Sequence, residues 1–242
     1  VTVPTYRDDV RCMNDLAEEV LRMYGYNKVE STLSAAATPT VGARTERQKF
    51  DMHLHDMLCG MGIDEIETFS FISPSYYTKI RLAEEDVRRT SVVISNPLGE
   101  DTSVMRTTLM PSMLKVLSDN VAVKNHDVTL FELAKVYLPG KEGELPAEPY
   151  RLSIGFVDAK GKNGSGFYRM KGYLEAVLSI AGIEDVDYVP CTDEPTFHPG
   201  RCAKIVKNGQ TIALFGELHP VTADNYNFTL PVYLCELDME VQ

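Results

Sequence analysis

The sequence predicts an α+β fold with a largely antiparallel sheet. Strand-type runs are joined by hairpin signals, and helical segments are interspersed among them rather than alternating strictly as a parallel sheet would require. No internal repeat is visible to suggest a solenoid instead.

The elements follow in order along the chain. After an extended, proline-bearing start, Leu16, Val20 and Met23 recur at helical spacing until Gly25; Asn14 or Asp15 can cap that helix. Residues from about 27 to 42 are rich in Ser, Ala, Thr and Pro without periodicity, which predicts a linker. A second helix fits Thr45 to Met61, with Phe50, Leu54, Met57, Leu58 and Met61 on one side. The run Glu65 to Ile72 alternates and is rich in β formers, as a half-buried strand should be. A short β-branched run, Ser91 to Ser95, ends at the turn signal Asn96-Pro97-Leu98-Gly99. Pro111 suits a first helical turn, followed by Met113, Leu114 and Leu117.

From Asp127 the pattern returns to strand through Leu138, then a Gly/Pro/Glu loop at 139–149 leads to a strand over Arg151 to Val157. Lys171 to Ala181 reads as a helix with Leu174, Val177, Leu178 and Ala181 inward. Asn208-Gly209 between Ala203–Lys207 and Thr211–Phe215 is a hairpin signal. A short helix and a strand from Val232 to Leu237 close the pattern.

Composition excludes several function classes. The 242 residues carry 35 acidic against 24 basic side chains, for a formal charge of -11. Such a surface repels phosphate backbones, so a broad nucleic-acid face is not expected. No apolar run approaches the ~18 residues of a membrane span, and the start has neither a basic nor an apolar leader region. The chain lacks an initiator Met and reads as a piece of something longer. Cysteines at 12, 59, 191, 202 and 235 form no CxxC pair, which predicts free thiols in a reducing cytoplasm rather than a zinc knuckle or disulfide framework.

Among candidate sites, Asp15, Glu18 and Glu19 stand at i, i+3 and i+4 and share one helix face, with Asp9 just upstream. Four hard oxygen donors suit Mg²⁺. Acidic residues also favour a helix start through its dipole, and spacing alone leaves both readings open. His53 and His55, at i and i+2, point to different faces and read as surface residues. Gly161 to Gly166 has the composition of a phosphate loop, but Phe167-Tyr168 follow where a Walker loop runs Gly-Lys-Ser/Thr into its helix. It reads as a flexible loop. Glu132 with Lys135 reads as a solvated strand surface, and no nucleophile with a neighbouring base is apparent.

Five segments together carry a resemblance. They are VPTYRDDVRCMNDLAEEVLRMYGYNKV, NPLGEDTSVMRTTLMPSML, VTLFELAKVYLPG, FYRMKGYLEAVLSIAG and FGELHP, and in this order they resemble the β subunit of bacterial phenylalanyl-tRNA synthetase. The resemblance implies a class II synthetase-like antiparallel sheet flanked by helices over residues 31–242, preceded at 1–30 by the end of a small metal-carrying domain and a linker. The family's oligonucleotide-binding fold, editing domain and anticodon-binding domain have no counterpart here. It further implies Mg²⁺ on Asp9, Asp15, Glu18 and Glu19, near a contact with the α subunit. Implied too are a heterotetramer of two α and two β subunits, tRNA(Phe) bound by the full complex, and ATP bound by α in the cytoplasm.

The same resemblance implies a core with no catalytic residues. Class II enzymes hold ATP with one arginine on motif 2 and another on motif 3. Leu138 stands near the first position, and no arginine follows Arg201. Arg106 survives and reads as a structural ion pair. Association would run through the motif 1-like stretch from Arg44 to Ile72. The competing class is a self-sufficient adenylate-forming ligase or a small-molecule-sensing relative, distinguished by phenylalanine-dependent ATP–pyrophosphate exchange without α.

Overall fold

A computed structural model of the chain describes residues 1–32, 42–141, 143–160 and 164–240. The chain divides into two compact units, Val1–Ala43 and Arg44–Gln242.

In the first unit the only α-helix among the described residues is α1 (Met13–Tyr24). Its N-cap is Cys12, not Asn14 or Asp15. Asp15 sits three residues on and reaches back, its Oδ2 accepting from the backbone N–H of Cys12 at 2.8 Å and of Arg11 at 2.7 Å. A short acid in the third helical position satisfies donors that the first turn leaves unpaired. Residues 1–12, expected to be extended, carry turns at 5–6 and 8–9 and no strand. Val20 and Met23, on the apolar stripe of α1, are both largely exposed. The stretch proposed as linker begins with a 3₁₀ turn at Tyr26–Lys28, and residues 33–41 lie outside the described part.

The second unit is built on a seven-stranded sheet. Its strands are β1 (Asp64–Glu65), β4 (Thr129–Lys135), β5 (Tyr150–Val157), β6 (Asp187–Pro190), β7 (Phe197–Lys207), β8 (Gln210–Leu218) and β9 (Val232–Asp238). They lie in the order β1-β4-β5-β9-β8-β7-β6, antiparallel throughout except for β1 beside β4. A second, two-stranded sheet pairs β2 (Phe71–Ile72) with β3 (Val104–Met105). The β7–β8 hairpin turns on Asn208 and Gly209, with φ of 51° and 79°. That two-residue turn needs left-handed φ at both positions, which Asn and Gly supply at least cost.

Alternation along the strands sorts side chains onto two faces. Phe131, Ile154, Phe156, Phe215, Cys235 and Leu237 form one core with α2 (Glu46–Gly60) and α5 (Ser165–Ala181). Leu130, Val157, Leu218 and Leu234 form the other with α3 (Ser75–Lys79) and α4 (Met110–Ala122). Helix α2 opens with Thr45 and Gln48 in a reciprocal cap, and α4 opens with Pro111 in its first turn. The remaining helix, α6 (Pro220–Asn225), leads into β9.

Three local expectations change. The predicted strand from Glu65 to Ile72 is split: β1 joins the large sheet and β2 the small one. Ser91 to Ser95 forms only one isolated bridge, Val93 to Val104. Helix α5 begins at Ser165, well ahead of Lys171, so that Gly166 lies inside it. Among the described residues no helix is long and apolar enough to cross a membrane.

Candidate functional site

The acidic candidates of the first unit are organised by arginines. The Arg7 guanidinium bridges Asp9 at 2.7 Å and Glu19 at 2.5 Å, and Glu19 also pairs with Arg22. Hydrogen bonding to Arg7 lowers Asp9 to about 2, and Arg7 with Arg22 lowers Glu19 to about 2. The backbone N–H groups of Arg11 and Cys12 hold Asp15 below its usual range. Glu18 is exposed on the same helix. Among the described residues no three His, Cys, Asp or Glu side chains converge so as to ligate one ion. Asp9 and Glu19 nevertheless share one positive charge already, that of Arg7. The donor set, all carboxylate oxygen, matches a hard divalent cation in chemistry.

In the second unit a cavity of about 460 Å³ opens on the α4 side of β5, β8 and β9. Arg88, Thr107, Leu138, Arg151, Leu214 and Glu236 are among the residues lining it. Its charges are already spent within the fold. Arg88 is held by Asp86 at 2.6 Å and Glu194 at 3.0 Å, and Arg151 by Asp238 at 2.7 Å. The Arg88 hydrogen bond keeps Asp86 below its ordinary range. Glu236 accepts from the Thr108 hydroxyl at 2.7 Å and the Leu109 N–H at 2.6 Å, which ties β9 to the start of α4. Leu138 puts an apolar side chain on this wall, at the position where the resemblance would place a nucleotide-binding arginine. A pocket that must stabilise charge on a transferring phosphoryl group needs fixed cations aimed into it. Here both lining guanidiniums face carboxylates.

Next to this wall lies the pair Arg106–Glu132. Both residues are 2% exposed, and Arg106 Nη1 is 3.0 Å from Glu132 Oε1. Glu132 is therefore a buried anchor rather than the solvated residue expected. Thr68 donates to it from its backbone N–H at 3.0 Å and from its hydroxyl at 2.9 Å, while Arg106 Nε donates to the Lys135 carbonyl at 3.0 Å. Arg106 is the structural ion pair anticipated for it, and Lys135 pairs instead with Glu148. Sequence reading missed Glu132 because β4 is buried on both faces in its first half, which a lone glutamate does not announce.

The stretch from Arg44 to Ile72 presents Met52, Met61, Phe69 and Phe71, each at least 39% exposed. His53 is exposed, and half-buried His55 lies 3.2 Å from Glu65 and 3.3 Å from Asp56. Of the Gly161–Gly166 motif, residues 161–163 lie outside the described part, and Gly164 caps α5.

Sheet order, flanking helices and sheet-face cavity together define a class II aminoacyl-tRNA synthetase-like core. The fold matches the crystal structure of pyrrolysyl-tRNA synthetase from Desulfitobacterium hafniense with a TM-score of 0.66, over 81% of this chain and 68% of that one, at 15% identity. The family described as phenylalanyl tRNA synthetase beta chain CLM domain matches residues 29–239, and the tRNA synthetase B5 domain matches residues 1–26. The chain belongs to the phenylalanyl-tRNA synthetase beta chain family. It is 37% identical over 242 residues to the phenylalanine–tRNA ligase beta subunit of Clostridium tetani, covering 100% of this chain and 30% of that protein. The corresponding subunit of Geobacter metallireducens is 37% identical over 247 residues, covering 99% of this chain and 31% of its own length. The chain thus spans less than a third of the relatives it matches.

Proposed function

We propose that this chain supplies the non-catalytic structural core of the β subunit of a phenylalanine–tRNA ligase. In this reading residues 1–30 are the end of the small metal-carrying domain with its linker, and residues 31–242 are a catalytically silent class II core. The core pairs with an α subunit in a cytoplasmic heterotetramer of two α and two β chains. The α subunit binds ATP, makes phenylalanyl-adenylate and charges tRNA(Phe). The observation that carries the silent reading is the cavity wall, where Arg88 and Arg151 are each neutralised by carboxylates and Leu138 adds no charge. Association through α2, β1 and β2 is supported by the exposed Met52, Met61, Phe69 and Phe71.

The test is phenylalanine-dependent ATP–pyrophosphate exchange with and without the α subunit, alongside sedimentation velocity of the mixture. Exchange that appears only with α, in a heavier complex, is the expected result. Exchange without α would return the reading to a self-sufficient adenylate-forming ligase.

The proposal includes Mg²⁺ held by Asp9, Asp15, Glu18 and Glu19. When bound, it would supply the positive charge that Arg7 now lends to Asp9 and Glu19. The support is the hard carboxylate oxygen set on one helix and the turn before it. Manganese soaked into crystals of the assembled complex should give an anomalous peak beside these carboxylates. A complex with full occupancy of both subunits and no such peak would remove the metal from the assignment.

A further inference from the structure

Two of the five cysteines are brought face to face by the sheet. In the β6–β7 pairing Pro190 lies opposite Ala203, so the next pair along is Cys191 and Cys202. The Cys191 N–H donates to the Cys202 carbonyl at 2.9 Å, which confirms that register one step past the strand. Both side chains lie in the core on the α4 side, at 2% and 6% exposure, so both point to the same face. Burial first, then the neighbouring Cys191, raise the Cys202 thiol above its usual range. Directly opposed residues of antiparallel strands have Cα atoms about 4.5–5.5 Å apart, inside the roughly 4.4–6.8 Å that a disulfide spans. The other cysteines are placed differently. Cys12 belongs to the first unit, Cys59 is exposed on α2, and Cys235 sits in the core on the α5 side.

We propose that Cys191 and Cys202 are a reversible thiol–disulfide pair, oxidised by a small disulfide of the glutathione class, that clamps the edge of the sheet. The exchange balances without any further reactant. One cysteine thiolate attacks the small disulfide, forming a mixed disulfide and releasing one small thiolate. The second cysteine then displaces the other small thiolate and closes the Cys191–Cys202 bond. Two electrons pass to the small disulfide, and the two cysteine protons end on the two small thiols released. Strand β6 is a four-residue edge strand with mostly exposed side chains, so local opening there gives the oxidant access to both sulfurs.

The clamp would act on the segment just beyond it. The Cys191 thiol donates to Asp193 at 3.2 Å, and Lys204 holds the same carboxylate at 2.9 Å. Neighbouring Glu194 grips Arg88 on the cavity wall. Oxidation removes the thiol donor from Asp193 and ties the start of this segment covalently to β7, so the cavity wall and the redox pair are mechanically linked.

The test exposes the whole protein carrying this chain, under native conditions, to mixtures of reduced and oxidised glutathione, followed by acid quench, alkylation and tryptic peptide mapping. Trypsin cuts after Lys171, Arg201 and Lys204, so the disulfide would join peptides 172–201 and 202–204. The joined peptides should rise with the oxidised fraction and vanish on return to reduced glutathione. Alkylatable thiols in this chain should fall from five to three. Cys202→Ser should abolish the joined species and leave a glutathione adduct on Cys191. The proposal is overturned if both thiols of the native wild-type protein remain alkylatable at every ratio, or if other cysteine pairs link as readily as these two.

Discussion

Replacing Glu132 by alanine removes the only carboxylate within salt-bridge distance of the buried Arg106 guanidinium among the described residues. Three elements meet at this point. Thr68 follows β1, Arg106 lies between β3 and α4, and Glu132 is on β4. Arg106 would keep its bonds to the Lys135 carbonyl and the Thr68 hydroxyl, but its charge would have no counter-ion at 2% exposure. Breaking a buried pair from one side costs about 3–5 kcal/mol, because the remaining charge stays desolvated. For a chain of this size that converts to a melting temperature lower by about 6–20 °C. The single variants Glu132→Ala and Arg106→Met should both show losses of this order in urea unfolding followed by circular dichroism. The double variant Arg106→Met/Glu132→Leu should recover most of the loss, since no buried charge is left unpaired. A single-variant loss below about 1 kcal/mol, or a double variant as unstable as the sum of the singles, would refute the account.

Two further outcomes follow from particular contacts. A Cβ at Gly166 would lie 2.1 Å from the Tyr233 ring, which is buried, stacked on Phe156 and bonded to Glu217. Gly166→Ala should therefore destabilise by about 1–3 kcal/mol through overpacking, measured by thermal unfolding, and Gly166→Ala/Tyr233→Leu should restore part of that. Asp193 is lowered to about 2, chiefly by Lys204 and then by the Cys191 thiol. A depressed carboxyl lends stability above its unfolded pKa near 4 and loses it as pH falls through about 2. Lys204→Met should move the Asp193 titration, followed by carboxyl-detected NMR, upward toward about 4 and shrink its acid-side contribution. An unchanged midpoint would remove Lys204 as the cause.

Elements governed by local chemistry were legible from sequence. Asn208-Gly209 announced its hairpin and Pro111 the start of α4, because turn and helix-start preferences act within a few residues. Elements governed by distant partners were not. Glu65 to Ile72 alternates like one strand, yet Thr68 is drawn to Glu132 and the run divides between two sheets. Gly164, Ser165 and Gly166 resemble a loop, yet α5 begins at Ser165 and Gly166 packs closely against the Tyr233 ring, a partner distant in sequence. The four acidic candidates could be found by spacing, but the engagement of Asp9, Asp15 and Glu19 by Arg7, Arg22 and backbone N–H groups could not. Glu132 shows the same limit, since its burial depends on Arg106 arriving from another part of the chain.

The parallel edge formed by β1 has a consequence for the order of folding. β7 and β8 close across a two-residue turn, whereas Asp64 must find Leu130 across the small sheet and the whole of α4. That closure costs more than a hairpin's, and with only two paired residues to offset it this edge should form late and open early. It is also the edge that follows α2, where the proposed partner would dock. A partner bound there selects the closed edge and acts as a folding ligand. At a hundredfold excess over its Kd, it would add about 2.7 kcal/mol to the ordered state.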